Sequence, residues 1–159
     1  MSAEESLQKK IRFRGSSSHV IDSKGRIIIP SRFRTILKQT EGNGLMITKF
    51  DNALFAYPYE RWEEIETRIS SRAKQSDAMR RFKRIFIGTA YDCSIDKQDR
   101  ILVPQVLRKY ASIVKEIELV GVLDHFEIWS AENWDAENQA LEDDLSCEDL
   151  RNDIADLGL

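Results

Sequence analysis

Cysteine and histidine are scarce in this chain: Cys93, Cys147, His19 and His125 are all that 159 residues hold. The two cysteines stand far apart, with no second Cys or His at ligand spacing beside either. That speaks against a metal site and fits a reducing compartment. Two isolated histidines leave little material for a nucleophile and its base, and no P-loop, dinucleotide fingerprint or HExxH motif occurs. Catalysis, a cofactor and a small-molecule substrate are therefore not expected. Only three prolines and seven glycines punctuate the chain, too few for a low-complexity or disordered sequence. No uninterrupted apolar run approaches the roughly 18 residues a membrane helix needs. The opening MSAEESLQKK carries acids where a signal peptide needs bases. The expectation is a cytoplasmic protein with no membrane partner.

What is present suits a soluble mixed-structure protein, 42% hydrophobic and 32% charged. A chain of this length buries roughly 70% of the surface its unfolded form exposes, so no disulfide or metal is needed to hold a core. The net charge of −3 hides an asymmetry. Residues 1–110 hold 22 Lys and Arg against 13 Asp and Glu, whereas residues 111–159 hold 2 against 14. A basic body with an acidic end points toward nucleic acid.

The sequence also repeats itself. Asp22, Arg26, Pro30 and Arg34 recur 74 positions later as Asp96, Arg100, Pro104 and Arg108, so that DSKGRIIIP returns as DKQDRILVP. Past the loop TEGNG, two residues longer in the first copy, the spacing becomes 72; Leu45, Tyr57 and Trp62 then align with Ile117, Trp129 and Trp134. Each copy has the same plan. SSHVI leads by a turn into RIIIP, and DCSI into RILVP, the pattern of a hairpin. Pro30 and Pro104 suit the first position of the helices predicted over SRFRTILK and QVLRKYAS. Two strands come next, LMITKF with ALFAY and IELVG with FEIW, and a helix closes each copy. In the first copy Trp62, Ile65 and Ile69 form one apolar face, and Met79, Phe82 and Phe86 form another before Gly88 stops it. Four short strands make too edge-rich a unit to stand alone, so the two copies are expected to pair in one barrel-like body with a pseudo-two-fold axis.

The turn explains part of the repeat. An Asp at its start bonds the backbone two residues on, and Gly25 supplies a positive φ. Turn chemistry does not call for Arg26 or Arg100, each at the root of an apolar strand with Lys24 or Lys97 inside the turn. A guanidinium held in direction by an acid presents a planar fork suited to guanine edges or phosphates. Asp22, Lys24, Arg26, Asp96, Lys97 and Arg100 are thus the candidate DNA-binding residues, and double-stranded DNA the expected partner; the competing reading is a surface ion pair in each turn, which would stabilise by under about 1 kcal/mol and has no obvious need to be duplicated.

FRGSSSHVIDSKGRIIIPSRFR, YERWEE, IDKQDRILVPQVLRKYA and ELVGVLDHFEIWSAENW together resemble the MraZ family of bacterial transcriptional regulators, over about Phe13 to Trp134. The resemblance implies an α+β, mainly β fold: a tandem-duplicated, AbrB-like swapped-hairpin β-barrel with short helices. It further implies ring-shaped homo-oligomers associated with the nucleoid, and binding of repeated short boxes upstream of cell division and cell wall genes through the paired DxxxR turns. One departure stands out, Asp99 where the family pattern has Gly, which bears on the shape of the second turn. The expected divisions are a first repeat over 11–73, a helical connector over 74–84, a second repeat over 85–137 and an acidic tail over 138–159. A different class stays open beside this one, a protein-interaction module, antitoxin-like or scaffolding, that acts through the acidic tail.

Magnitudes favour an oligomer. A bidentate base contact discriminates by about 1–3 kcal/mol, so two arginines supply about 2–6, against the about 4–10 kcal/mol that separates specific from non-specific sites. Repeating chain and box together adds about 10²–10⁴ in avidity.

Overall fold

The structure, a computed structural model, describes residues 12–40, 42–72 and 74–159. The opening MSAEESLQKK, with its bearing on a signal peptide, lies outside the described residues. In chain order the elements are β1 (Ser16–Val20), β2 (Arg26–Ile28), α1 (Ser31–Leu37), β3 (Gly44–Phe50), β4 (Ala53–Pro58), α2 (Tyr59–Ser70), α3 (Asp77–Gly88), β5 (Tyr91–Ser94), β6 (Arg100–Leu102), α4 (Gln105–Tyr110), β7 (Glu116–Val122), β8 (His125–Ser130), α5 (Ala131–Asp144) and α6 (Glu148–Asp156).

The two copies exchange strands. β1 does not pair with β2, as a simple hairpin would require; it pairs antiparallel with β7 of the second copy, while β2 pairs with β6. Between the end of β1 and the start of β2 there is no strand ladder; the link is a turn, held by bonds such as that from Asp22 N to Arg26 O (3.0 Å). Burial favours the exchange: Ile27 and Ile29 point inward and meet Ile101 and Val103 of the other copy, all four fully buried. Sheet order is β1-β7-β8-β4-β3-β5, with β2-β6 as a separate two-stranded ladder. The six-stranded sheet is not closed; β1 and β5 are its edges. What bridges them to the ladder is the pair of turns at Asp22 and Asp96.

The registers carry the duplication. Ile27 lies opposite its own counterpart Ile101, and Phe55 opposite its counterpart Glu127. A pseudo-two-fold axis therefore runs through both pairs and relates β1-β7 to β5-β3. Mixed α+β architecture, antiparallel sheets and the tandem duplication are as the sequence led one to expect.

Helix starts follow from proline. Pro30 (φ −59°) and Pro104 (φ −56°) cap α1 and α4 instead of occupying their first turns, one residue earlier than the pattern suggests. Their carbonyls accept from Arg34 N and Arg108 N, and the proline ring fixes an entry angle compatible with either position. α3 is capped by Ser76, whose hydroxyl accepts from Met79 N (3.1 Å).

Each face of the sheet has its own apolar body. The inner face, with Leu45, Ile47, Leu54, Ile117, Leu119 and Ile128, packs on the β2-β6 ladder and on α1 and α4. Here the rings of Phe13, Phe33 and Phe126 gather, with centroids 4.8–5.5 Å apart. On the outer face α2 and α3 cover β3 and β4 through Tyr57, Trp62, Phe82 and Phe86. The acidic tail forms the second half of α5 and all of α6, in which no residue is buried.

Candidate nucleic-acid interface

Both DxxxR segments fold into the same turn. Asp22 Oδ1 accepts from Lys24 N (2.9 Å) and Arg26 N (2.8 Å), and Oδ2 from Arg26 Nε (2.7 Å). In the second copy Asp96 Oδ1 accepts from Gln98 N (2.8 Å) and Arg100 N (2.9 Å), and Oδ2 from Arg100 Nε (3.0 Å). One carboxylate thus ties the turn with one oxygen and aims the arginine with the other. The amide of Arg26, then its guanidinium and the Lys24 amide, pull the Asp22 carboxyl down to about 2. The Arg100 amide, with Gln98 N and the Arg100 guanidinium, lowers Asp96 in the same direction.

Asp99 does not change the turn. Its φ of 62° lies in the left-handed region that Gly25 occupies at 89°, a conformation an aspartate tolerates better than most residues. Its added acid is matched by a base, since Asp99 Oδ2 sits 3.5 Å from Arg34 Nε. At the equivalent place in the first copy Arg108 lies where a Gly25 side chain would be; a Cβ there would come within 2.7 Å of its guanidinium. Arg34 Nη1 also donates to Ile29 O (2.6 Å), and Arg108 Nε to Val103 O (3.0 Å). Each helix therefore braces the other copy's turn. The alignment of Arg34 with Arg108 was visible in the sequence and is the signal for this role.

The swap brings the two turns together. Arg26 lies opposite Leu102 and Ile28 opposite Arg100, so the two arginines are diagonal neighbours on one face, about 7–8 Å apart at the backbone. Ile29 N donates to Asp99 O (2.8 Å) and Val103 N to Gly25 O (2.9 Å). These bonds carry the ribbon on to both turns and set one turn at each end. Lys24 and Lys97 are exposed at those ends. All six candidate residues thus belong to one strip, the strand part of which buries Ile27 and Ile101 inward. The arginine side chains are 31% and 24% exposed. Each is anchored through Nε, and among the described residues no hydrogen bond engages its terminal nitrogens. Sequence reasoning missed two residues here: Ile28 and Leu102 share the outward face and are 58% and 56% exposed, an unusual degree for large apolar side chains on a strand.

A family model described as "MraZ protein, putative antitoxin-like" matches residues 12–85 and again residues 86–154. The chain belongs to the MraZ family. A transcriptional regulator MraZ of Desulforapulum autotrophicum is 52% identical over 147 residues, covering 92% of this chain and 99% of that protein. Those of Desulfosudis oleivorans and Desulforamulus reducens are 48% and 44% identical, over 92% and 91% of this chain and 99% of each relative. Two family matches in tandem agree with the duplication, and in the structure each copy supplies one turn and one strand of the ribbon.

The remaining chemistry-bearing residues lie elsewhere. His19, on β1, bonds Ser17 Oγ (2.6 Å), and burial followed by Arg32 lowers its pKa. Burial raises the Cys93 thiol to about 11, while Cys147 is exposed. His125 was read as an isolated residue and is not one. Its Nδ1 meets Asp124 Oδ1 (2.7 Å), its Nε2 meets Glu127 Oε2 (2.9 Å), and its ring stacks on Phe55 and Tyr57, each at 4.9 Å. Burial works to lower its pKa, but the two carboxylates outweigh it and the value is raised. Among the described residues no group of three His, Cys, Asp or Glu is placed to hold a metal, and no helix is long and apolar enough to cross a membrane.

Proposed function

We propose that this chain is a sequence-specific DNA-binding transcriptional regulator that acts as a homo-oligomer, with the β2-β6 ribbon as its reading element. One observation carries the reading: strand exchange puts two identically built DxxxR turns at the ends of one two-stranded antiparallel ribbon. A ribbon of that kind fits the major groove, about 12 Å wide. In this arrangement Arg26 and Arg100 read guanine edges with their free terminal nitrogens, and Lys24 and Lys97 hold flanking phosphates. Ile28 and Leu102 lie against the bases between, where a thymine methyl offers an apolar contact. The relatives' name, transcriptional regulator, supports the same class. Targets are repeated short boxes upstream of cell division and cell wall genes, each box engaged by one chain of the assembly.

Footprinting on the DNA upstream of the chain's own gene tests this. Protection of short repeated segments is expected, with log affinity falling steeply against log salt. Arg26→Ala and Arg100→Ala together are expected to abolish the protected pattern while leaving the oligomer intact. Unchanged promoter affinity in that double variant would overturn the assignment.

A further inference from the structure

The two turns share a backbone but not their surroundings. Each is braced by an arginine from the other copy's helix, Arg34 of α1 at the second turn and Arg108 of α4 at the first. Arg34 is occupied. Asp99 Oδ2 lies 3.5 Å from its Nε, and its Nη1 donates to Ile29 O (2.6 Å). Arg108 meets no acid. Gly25 gives it only a bare backbone seat, which a Cβ would close by coming within 2.7 Å of the guanidinium. Its Nε donates to Val103 O (3.0 Å), and among the described residues no hydrogen bond or ion pair engages Nη1 or Nη2.

Those two nitrogens are open to an outside partner. The described residues hold no buried side-chain nitrogen that lacks a hydrogen bond, so both reach solvent. The local charge says which kind of partner fits. At the first turn Lys24, Arg26 and Arg108 face one acid, Asp22, and that acid is committed to Arg26 Nε. At the second, Lys97, Arg100 and Arg34 face two, Asp96 and Asp99. A planar fork with free terminal N–H groups suits a phosphate, whose oxygens accept two parallel bonds.

We propose that Arg108 is a further DNA contact of this chain: it holds a backbone phosphate beside the first turn, and the second turn has no such contact because Asp99 already occupies Arg34. This rests on the ribbon reading above and adds to it a residue outside the DxxxR motifs. Gly25 then has a second use besides its φ of 89°, since its bare backbone lets the guanidinium lie against the turn. Asp99 is an internal anion, standing at its end of the ribbon where a phosphate stands at the other. The two ends therefore grip the duplex unequally, the first more tightly.

The test is the affinity of the full-length protein for a single box and for scrambled DNA of the same length, by fluorescence anisotropy over a range of salt concentrations. A phosphate contact is blind to sequence. Arg108→Gln is thus expected to weaken both affinities by about 10-fold and to reduce the slope of log affinity against log salt by about one. Arg108→Lys keeps the charge and is expected to restore the slope. Asp99→Gly releases Arg34 and is expected to raise the slope by about one, and Arg34→Gln added to it to bring the slope back to the wild-type value. Arg68→Gln makes the same charge change on α2, across the sheet from the ribbon, and is expected to leave the slope as it is. An unchanged slope in Arg108→Gln overturns the proposal even if affinity falls, because Arg108 would then only brace the turn. A loss confined to the box overturns it by making Arg108 a base contact, and an equal change from Arg68→Gln by making net charge the cause. A wild-type slope in Asp99→Gly refutes the inequality of the two ends. Wild-type protein with no preference for the box would sink the ribbon reading instead, while the Arg108 contact is decided on scrambled DNA alone.

Discussion

Replacing both ribbon arginines by lysine separates base reading from charge attraction. Lysine keeps the positive charge and most of the reach but loses the planar fork, and it has no counterpart to the Nε that Asp22 Oδ2 holds at 2.7 Å and Asp96 Oδ2 at 3.0 Å. With that anchor gone the ammonium swings freely and can meet a phosphate but not a guanine edge in fixed register. Each bidentate contact discriminates by about 1–3 kcal/mol, so the double Arg26→Lys, Arg100→Lys variant loses about 2–6 kcal/mol of specificity, roughly 30-fold to 10⁴-fold in the ratio of box to random DNA. Non-specific affinity and its salt slope should barely move, because the number of cations is unchanged. Competition titrations by fluorescence anisotropy, with a single box against scrambled DNA at several salt concentrations, measure both quantities. A variant that keeps its specificity ratio refutes the oriented-fork argument. One that loses non-specific affinity in parallel with specific affinity places the arginines on phosphates instead.

Three further predictions follow from the same geometry. Asp99→Gly removes an acid from the ribbon and relieves a positive φ at the loss of one exposed pair with Arg34, so stability in urea should change by under about 1 kcal/mol and promoter affinity should rise, most at low salt; a fall in affinity would mean Asp99 itself contacts DNA. Phe33→Ala empties the fully buried centre of the Phe13-Phe33-Phe126 cluster and should cost about 3–5 kcal/mol in urea unfolding; a loss under about 1 kcal/mol would show that the cluster is not packed as described. His125 has a raised pKa between Asp124 and Glu127, so its stabilisation is complete below its unfolded value of 6.5 and is lost as pH rises through the folded value. Thermal melts from pH 6 to 9 should fall in wild type, and the fall should be shallower in His125→Phe; parallel curves would remove His125 from the account.

Much of this was legible in the sequence because a duplication supplies its own control. Spacings of 74 and 72 located equivalent residues before any fold was known, and the axis through Ile27/Ile101 and Phe55/Glu127 follows those spacings. Helix faces were legible from apolar spacing, since the face with Trp62 on α2 and the face with Phe82 and Phe86 on α3 pack together in one cluster. Strand partners were not. SSHVI beside RIIIP reads as a hairpin because local pattern carries no information on which copy supplies the neighbouring strand. The exposed Ile28 and Leu102 were hidden for a related reason: in RIIIP and RILVP every position after the arginine is apolar, so alternation cannot tell the inward from the outward side. The His125 cluster was missed because Asp124 and Glu127 resemble ordinary surface acids until Phe55 and Tyr57 from the other copy close over the ring.

Fusing the copies in one chain has a physical consequence that a symmetric dimer could not have. In a dimer of identical chains every substitution appears twice, so Gly25 could not differ from its equivalent, nor a basic helix face an acidic one. Here Arg108 rests on Gly25 while Arg34 pairs with Asp99, so one turn holds a neutral residue where the other holds an acid, and both keep the same backbone. Divergence at the helices goes further, since Arg81 and Arg84 stand where the second copy has Asp153 and Asp156. The ribbon tolerates little such drift, because its two strands must keep one register for both arginines to share a face. Helices on the periphery are under no such constraint. Symmetry is thus retained in the ribbon, where on the proposed reading two turns meet one double helix, and is broken at the peripheral helices, where no shared register holds the copies alike.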